Sequence, residues 1–297
     1  RPPLAVRDPP PPIRLRSLLP IMHRFLLSPY APKGLRLLLN VRKSVPVYSG
    51  ASKVKLVDEQ GKFRVSFRHA STDRSILTEH VFLHQGIVPH VNLASAVGCA
   101  LAWNDDQACW NVAVDDWGRT SVRNVFVAGG GSSIARAEAA HARGTLAALS
   151  CLHEIGLLDH QARDAAAAPV RSTLRRYLAG RQFIDRLYRP ASASMLGTPT
   201  TTACRCEDIS IGAVREACAM LKPNGINQMK ALLRCGMGPC QGRFCASTIS
   251  EFIAESRDVS AAEIAPYRYR FPVKPLSVGE LALGVYSRAD EEAVARD

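Results

Sequence analysis

Two pairs of cysteines are the residues of this sequence best suited to chemistry. Cys204 and Cys206 flank Arg205 in TTACRCED, and Cys240 and Cys245 flank QGRF in the glycine-rich stretch GMGPCQGRFC. Thiolates are soft ligands that suit zinc or iron–sulfur clusters. Structural zinc usually takes pairs separated by two to four residues, whereas the first pair here is tighter, and a glycine-rich loop offers N–H groups to cluster sulfurs. The residues therefore favour an iron–sulfur site over zinc, with a plain thiol cluster third.

The other cysteines have a different character. Cys99, Cys109 and Cys151 stand alone among apolar neighbours, where a small buried side chain is expected. Cys218 lies on an apolar helical stripe and is expected in the core. No secretory signal is legible, and without one a cluster of cysteines favours metal binding over disulfides. We therefore predict a metal site in residues 204–245.

A second candidate site lies in VRNVFVAGGGSSIARAEAA. The pattern predicts a buried strand at Val125–Ala128, a glycine turn, and a helix that begins near Ser132 and ends near Leu158. Glycine allows a ligand to approach the backbone closely, and a helix N-terminus offers N–H groups to a phosphate. The stretch therefore predicts either the edge of a dinucleotide or flavin site, or a tight turn packed for its own sake.

The elements before and between these sites follow from periodicity and turn signals. The N-terminal part is predicted to contain a basic helix at Lys33–Arg42, an extended segment at Val45–Tyr48, a hairpin around DEQGK, and a strand at His80–His84 followed by a Gly86–Pro89 turn. Residues 159–200 are rich in Ala, Arg and Ser and are expected to form a helical or flexible linker.

Residues 204–270 are predicted to be helical. The apolar positions Ile211, Val214, Cys218 and Leu221 recur at helical spacing, and Ser210 can cap that helix. The NGIN stretch is expected to end one helix and start the next. Further on, Ser260 and Glu263 have the spacing of a capping box.

Composition limits the class of protein. The chain has 297 residues, of which 47% are hydrophobic and 22% charged, as in an ordinary soluble globular protein. The formal net charge of +12 raises nucleic acid or an acidic membrane as partners, but the basic residues are mostly scattered arginines and only 6% of the chain is aromatic. The apolar stretch SLLPIMHRFLL is too short and too interrupted to span a bilayer. We expect a cytoplasmic protein with no nucleic-acid partner and no transmembrane segment.

Two motifs resemble the second half of a two-dinucleotide-binding flavoprotein. HVFLHQGIVPHV carries a strand followed by Gly-x-x-Pro, and DDWGRTSVRNVFVAGGG carries the T-S-x-x-x-V-F-V-A-G pattern that precedes a helix in that superfamily. The resemblance implies FAD as a cofactor, contacted at Gly86, Pro89, Gly129, Gly130 and Ala137. The acid that follows the glycine in the family is Gly130 here, and no Gly-x-Gly-x-x-Gly strand occurs in this sequence. A fragment, a degenerate site, or completion by another polypeptide would each explain that pattern.

The C-terminal region resembles the 2Fe–2S domain related to bacterioferritin-associated ferredoxin. CRCED and the stretch INQMKALLRCGMGPCQGRFCASTISEFIAE carry this likeness. The similarity extends to the version fused to flavoprotein subunits of opine oxidases, hydroxyproline dehydrogenase, hydrogen cyanide synthase and sarcosine oxidase-like complexes. It implies cluster ligation by Cys204, Cys206, Cys240 and Cys245. Cys235 stays outside the ligand set as a helix-end packing residue.

The expected fold is therefore α/β, namely the second half of a two-dinucleotide-binding flavoprotein followed by a small all-helical 2Fe–2S domain. The predicted order is a proline-rich arm with the tail of a middle, pyridine-nucleotide-type domain (1–75), the C-terminal half of the FAD-binding domain (76–160), a linker (161–200), the 2Fe–2S domain (201–272) and a C-terminal tail (273–297).

The resemblance implies an electron-transferring flavin and iron–sulfur subunit of a heteromeric amine or imino-acid (opine-type) oxidase or dehydrogenase. In such complexes a separate FAD-containing subunit oxidises the amine, so no catalytic residue is assigned in this chain. The alternative is a non-catalytic 2Fe–2S electron-transfer or scaffold protein with a degenerate flavin site, which Gly130 and the missing glycine fingerprint favour.

Overall fold

The N-terminal part of the molecule combines helices with a small antiparallel sheet. The computed structural model of the chain describes residues 5–7, 15–84, 86–190 and 197–284. Most of the predicted proline-rich arm, and the tail after residue 284, lie outside these ranges. The N-terminal elements are β1 (Ala5–Arg7), α1 (Leu15–Leu26), α2 (Tyr30–Ser44), β2 (Val47–Ser49), β3 (Ser52–Glu59), β4 (Lys62–His69) and β5 (Thr72–Thr78). Strand β1 pairs in parallel with β2, and β3, β4 and β5 form an antiparallel sheet in that order.

The hairpin predicted around DEQGK is confirmed as β3–β4. Asp58 accepts a hydrogen bond from the N–H of Gly61 at 3.1 Å, and Gly61 has a left-handed φ of 83° that a side chain would strain. The predicted basic helix and extended segment are also present, as α2 and β2. The third strand, β5, was not expected.

The strand predicted at His80–His84 is wrong, because these residues form no strand. Phe82 is 97% exposed and Leu83 is also exposed. A strand needs a neighbour for its N–H and C=O groups, and no element pairs with these residues in the described part of the chain. Gly86 has a left-handed φ of 118°, as a turn at this point requires.

A small packed unit follows, built from helix α3 (Asn92–Val97) and the hairpin of β6 (Leu101–Asn104) and β7 (Cys109–Val112). Its core contains Val91, Cys99 and Val112, so the expected burial of Cys99 is confirmed. Cys109 is buried as well, whereas Cys151 is only half-buried. Burial, with Asp185 nearby, raises the pKa of Cys109 to about 12, as expected of an inert core thiol.

The glycine stretch forms a 3-10 turn at Gly129–Gly131 rather than leading directly into a helix. The predicted strand Val125–Ala128 is reduced to one isolated bridge between Arg119 and Phe126. The N–H groups of Ser132 and Ser133 both bond to the carbonyl of Gly129, which closes the turn. Helix α4 therefore spans Arg136–Glu154 and is shorter at both ends than predicted.

The residues expected as a linker form two helices, α5 (His160–Leu178) and α6 (Arg181–Leu187). Helix α5 packs along α4 and is capped by Asp159, whose side chain accepts a bond from the N–H of Ala162 at 2.8 Å. The described part of this segment, up to residue 190, is thus mostly helical and packed against the preceding elements.

A buried polar contact joins the β6–β7 turn to α6 and to the segment before α4. Gln107 donates from Nε2 to the carbonyl of Ile134 at 3.0 Å and to Oδ2 of Asp185 at 2.9 Å. Burial raises the pKa of Asp185, and the bonds from Gln107 and Arg181 oppose that shift. These bonds fix the entry into α4, and with it the position of the glycine turn.

The C-terminal region is built around its own core. Its elements are β8 (Thr202–Cys204), β9 (Ile209–Ser210), α7 (Ile211–Leu221), α8 (Ile226–Leu233), α9 (Ala246–Arg257), a 3-10 turn (Ala261–Glu263) and α10 (Val278–Ala282). The expectation of an all-helical domain is corrected by β8 and β9, which pair antiparallel. That pairing folds the chain back at the C-x-C pair and so places both of its thiols at a turn.

Local signals in this region were largely sufficient to predict its helices. Ser210 caps α7 by accepting a bond from the N–H of Ala213 at 3.2 Å. The capping box of Ser260 and Glu263 is present. Of the predicted apolar stripe, Ile211, Val214 and Cys218 are buried, but Leu221 is 55% exposed because the helix ends there.

Among the described helices, none has the length and apolar character needed to cross a membrane.

Candidate functional site

Five thiols meet at one end of the C-terminal core. Cys204 ends β8, Cys206 follows in the turn, Cys235 comes just after α8, Cys240 lies in the glycine-rich loop, and Cys245 directly precedes α9. Cys204, Cys235 and Cys245 are buried members of the core, Cys240 is half-buried, and Cys206 is exposed. Cys235 therefore packs in the core at the end of α8, as predicted, and the ligand role of Cys204, Cys206, Cys240 and Cys245 stays a prediction.

The five thiols fall into two groups by burial. Cys206 is exposed and Cys240 is half-buried. Cys204, Cys235 and Cys245 are buried members of one core. Among the described residues, no group of three or more His, Cys, Asp or Glu side chains is arranged to hold a metal ion.

The backbone of the glycine-rich loop supports a thiolate at Cys240. Burial acts to raise the pKa of Cys240, but the backbone of Phe244, the side chain of Cys206 and the backbone of Gly242 and Arg243 outweigh it and hold that pKa below its usual value. At Cys206 the backbone of Cys240 acts to lower the pKa, but the Cys240 side chain and burial outweigh it and raise that pKa. Burial raises the pKa of Cys235 to about 12. The loop thus favours a thiolate at Cys240 alone among these three thiols.

Glycines at three positions allow the loop to close around the thiols. A Cβ at Gly236 would lie 2.6 Å from the ring of Tyr267, and a Cβ at Gly242 would lie 2.5 Å from the same ring. At Gly238 the added Cβ would come closer than 3.0 Å to the Cβ of Cys206. Close packing of backbone against side chains, rather than turn conformation alone, therefore explains the glycine content of GMGPCQGRFC.

Tyr267 closes the buried side of the site. It is fully buried, and its hydroxyl lies 3.9 Å from Sγ of Cys245. Burial is the main cause that raises the pKa of Tyr267, followed by the charges of Cys245 and Cys235. The sequence analysis did not single out this residue, because no local pattern connects PYRYRF to a loop more than twenty residues earlier.

We expect Tyr267→Phe to leave the fold nearly unchanged. The ring that packs against Gly236 and Gly242 remains, and a sulfur contact at 3.9 Å is too long to contribute more than about 1 kcal/mol. Chemical denaturation of the two proteins checks this expectation. A larger loss of unfolding free energy would show that the hydroxyl, rather than the ring, holds the loop.

The charged residues near the thiols have local roles. Nε of Arg243 donates to the backbone carbonyl of Cys240 at 2.9 Å, which stiffens the loop. Arg234 pairs with Glu207 at 3.0 Å and joins the C-x-C turn to the end of α8. Arg205 is exposed. The expectation that Arg205 and Arg243 balance the charge of a cluster stays a prediction.

The predicted flavin contacts are more dispersed. Gly130 is exposed with open space around its Cα, and Ala137 is exposed on the first turn of α4. Arg143, in α4, donates to the hydroxyl of Ser133 at 2.5 Å. Burial lowers the pKa of Arg143. A Cβ added at Gly86 would lie 3.3 Å from the ring of Pro190. The glycine turn thus presents an open edge at Gly130, and Pro89 is half-buried.

Residues 90–92 connect the glycine turn to the cysteine loop. The carbonyl of His90 lies 3.9 Å from the would-be Cβ of Gly131. Two residues later, the buried Asn92 donates from Nδ2 to the carbonyl of Gln241 at 3.0 Å. Burial lowers the pKa of His90, and the charge of Arg243 lowers it further. The two candidate sites are therefore neighbours, joined by a segment that touches both.

Asn92→Ala should weaken this connection. The substitution leaves the carbonyl of Gln241 without its buried donor, which costs about 1–3 kcal/mol of unfolding free energy. Hydrogen exchange of the amides in residues 236–245 should become faster at the same time. The exposed Asn224→Ala is the matched control and should change stability by less than about 0.5 kcal/mol. Equal protection of the loop in both variants would contradict the proposed link.

The C-terminal region is similar to a known family of domains. The model described as the sarcosine oxidase A3 domain matches residues 203–285, which contain all five thiols of the site and Tyr267. The fold is similar to the crystal structure of L-proline dehydrogenase from P. horikoshii, with a TM-score of 0.62 at 20% identity, over 93% of this chain and 49% of that one.

Two relatives show how far the similarity extends along this chain and along theirs. The chain is 44% identical over 283 residues to an opine oxidase subunit from Rhizobium meliloti, which covers 95% of this chain and 54% of the relative. It is 28% identical over 196 residues to hydrogen cyanide synthase subunit HcnB from Pseudomonas protegens, which covers 64% of this chain and 40% of that protein. The chain thus spans about half the length of the opine oxidase subunits it matches.

Proposed function

We propose that this chain is the electron-transferring part of a heteromeric amine or imino-acid oxidoreductase of the opine oxidase type, working in the cytoplasm. A 2Fe–2S cluster would be held by Cys204, Cys206, Cys240 and Cys245. Residues 76–160 would form the C-terminal half of a FAD-binding domain, and residues 201–272 the cluster domain. A separate FAD-containing subunit would oxidise the amine. The similarity to opine oxidase subunits and to the sarcosine oxidase A3 domain supports this assignment.

The observation that carries the proposal is the packing of the glycine-rich loop against the cysteines. A Cβ at Gly238 would lie closer than 3.0 Å to the Cβ of Cys206, so the loop backbone lies directly against that residue and can present N–H groups to sulfur. Such bonds to ligand sulfurs are a means by which proteins tune the potential of iron–sulfur clusters. When bound, a cluster of this kind accepts and releases single electrons.

The residues of this chain would do three things for that chemistry. The four thiols would hold the cluster, and Ile249 and Tyr267 belong to the same core as Cys204 and Cys245. The loop around Gly238 and Gly242 would supply N–H groups to it. The exposed Cys206 would leave a route for electrons to a redox partner. The connection through Asn92 would place the cluster beside the glycine turn, where the flavin is proposed to bind.

A reductive titration tests the electron-transfer role. The anaerobically purified chain should show visible absorption that sodium dithionite bleaches and air restores, and the reduced sample should give an electron paramagnetic resonance signal. Absorption that does not respond to dithionite would contradict the proposal.

Flavin content separates the proposal from its alternative. Acid extraction of the same preparation, before and after incubation with FAD, should release flavin if the glycine turn takes part in binding. A chain with a redox-active cluster that never retains FAD would instead be a 2Fe–2S electron-transfer or scaffold protein. Gly130, which stands where the family has an acid, is the observation that favours this alternative.

A further inference from the structure

An open cleft of about 410 Å³, which we call the arginine cleft, lies between helix α5 and the turn that carries Trp117. Its lining consists of Trp117, Arg163, Asp164, Ala168, Arg171 and Arg175. The last four of these positions are spaced by four, three and four residues, so they lie along one face of α5. The volume is within the range of about 300–1,000 Å³ that is usual for small-molecule sites.

Trp117 is held in place by its turn. Oδ1 of Asp115 accepts a hydrogen bond from the N–H of Trp117 at 2.8 Å. The next residue, Gly118, has a left-handed φ of 78°, and a Cβ there would lie 3.2 Å from the Cβ of Ala147 in α4. The turn therefore packs closely on α4, along which α5 also packs. This packing fixes the indole relative to the face of α5 that lines the cleft.

Two arginines of α5 pack on that indole. Cζ of Arg163 lies 4.2 Å from the ring centroid of Trp117, and Cζ of Arg171 lies 4.4 Å from it. An aromatic face attracts a guanidinium group, whereas two guanidinium groups repel each other. The side chain of Arg163 is only 7% exposed, so its charge is largely withdrawn from water. The indole thus holds two cations at the wall of one cleft.

The lining carries more positive than negative charge. It contains three guanidinium groups and one carboxylate, that of Asp164, which leaves a formal excess of two positive charges. Oδ1 of Asp164 accepts hydrogen bonds from Nε of Arg163 at 2.9 Å and from Nη2 at 2.8 Å. Its other oxygen lies 3.3 Å from Nδ1 of His160. The carboxylate of the lining is therefore already engaged, mainly with Arg163.

Arg171 and Arg175 remain accessible to a ligand. Arg171 has an ion pair of 3.9 Å with Asp116, whose side chain is 90% exposed, and an exposed pair of that length contributes little. Arg175 lies one turn further along α5 and is exposed. Both guanidinium groups therefore keep N–H donors that can turn toward an anion in the cleft.

The charge of the lining selects the class of anion. Guanidinium groups bind phosphate and carboxylate through paired N–H donors, but a phosphate monoester carries about −1.5 to −2 charges at pH 7, which matches an excess of two positive charges better than a carboxylate does. We propose that the arginine cleft binds the phosphate group of a small molecule, contacted by Arg171 and Arg175. This site is independent of the proposed cluster, because all six lining residues precede the cysteine-rich region.

Titration calorimetry of the full chain with glycerol 3-phosphate, at about pH 7.5 and about 0.15 M salt, tests the inference. The wild-type chain should bind one equivalent with a dissociation constant below about 5 mM. Arg171→Gln and Arg175→Gln should each weaken binding at least about tenfold, since each removes a hydrogen bond to a charged group. Arg176→Gln is the matched control. It removes an exposed charge from the same helix outside the lining and should change the affinity less than about twofold.

Acetate should bind the wild-type chain at least about tenfold more weakly than glycerol 3-phosphate, because it carries a single charge. The inference is overturned if glycerol 3-phosphate gives no saturable binding, or if Arg176→Gln weakens binding as much as Arg171→Gln does, since that would show general attraction to a basic chain. Circular dichroism checks the fold of each variant. If Arg171→Gln fails to fold, Arg175→Gln decides alone, because it changes an exposed side chain. Iron content should be the same in all these variants, so a failure here leaves the proposed function untouched.

Discussion

Replacing Cys240 by serine is expected to remove the cluster and its visible absorption from the purified chain. Cys240 is the half-buried thiol of the glycine-rich loop and one of the four proposed ligands. Serine keeps the approximate size of the side chain but replaces the soft sulfur by a hard oxygen, which iron–sulfur centres bind poorly. Iron content should fall to below about a tenth of the wild-type value, because a ligand position on the exposed side is lost.

The matched control for this substitution is Cys151→Ser. Cys151 is half-buried in α4, far along the chain from the thiol site, and it should keep full iron content. Iron and absorbance are measured together with circular dichroism, so that loss of the cluster is distinguished from loss of the fold. A coloured Cys240→Ser protein with wild-type iron would show that Cys240 is not a ligand.

Gly238→Ala is expected to lower the iron content by a similar amount, although it replaces no cysteine. Its φ lies outside the left-handed region, so alanine imposes no backbone strain there, but the new Cβ would come closer than 3.0 Å to the Cβ of Cys206. Cys206 must then move, or the loop must open. Overpacking of this kind costs about 1–3 kcal/mol, and the displaced thiol no longer meets Cys240.

Gly225→Ala is the control for this change, since its would-be Cβ meets nothing within 4 Å and its φ of −175° is open to any residue. Iron content of the two variants, purified side by side under anaerobic conditions, checks the expectation. Gly238→Ala should lose most of its iron and Gly225→Ala none. Full iron in Gly238→Ala would mean that the loop does not pack on Cys206 as described.

The sequence was sufficient where structure depends on near neighbours. The cap at Ser210, the box of Ser260 and Glu263, and the hairpin of β3 and β4 were predicted because each depends on residues only a few positions apart. Prediction was wrong at His80–His84, where the residues favour a strand but no neighbouring strand pairs with them in the described ranges. Strand formation depends on a partner that local composition does not specify.

The candidate site shows the same division. The C-x-C and glycine-loop motifs indicated which thiols could bind a metal, and their ligand role stays a prediction. The positions of Tyr267 and Asn92 could not be predicted, because each depends on contacts between distant parts of the chain. Asn92 meets Gln241 across 149 positions, and the hydroxyl of Tyr267 lies 3.9 Å from Sγ of Cys245.

Metal and sulfide analysis of the anaerobically purified wild-type chain tests the central claim most directly. The proposed cluster on Cys204, Cys206, Cys240 and Cys245 predicts about two iron atoms and about two acid-labile sulfides per chain. Zinc without iron or labile sulfide would contradict the account.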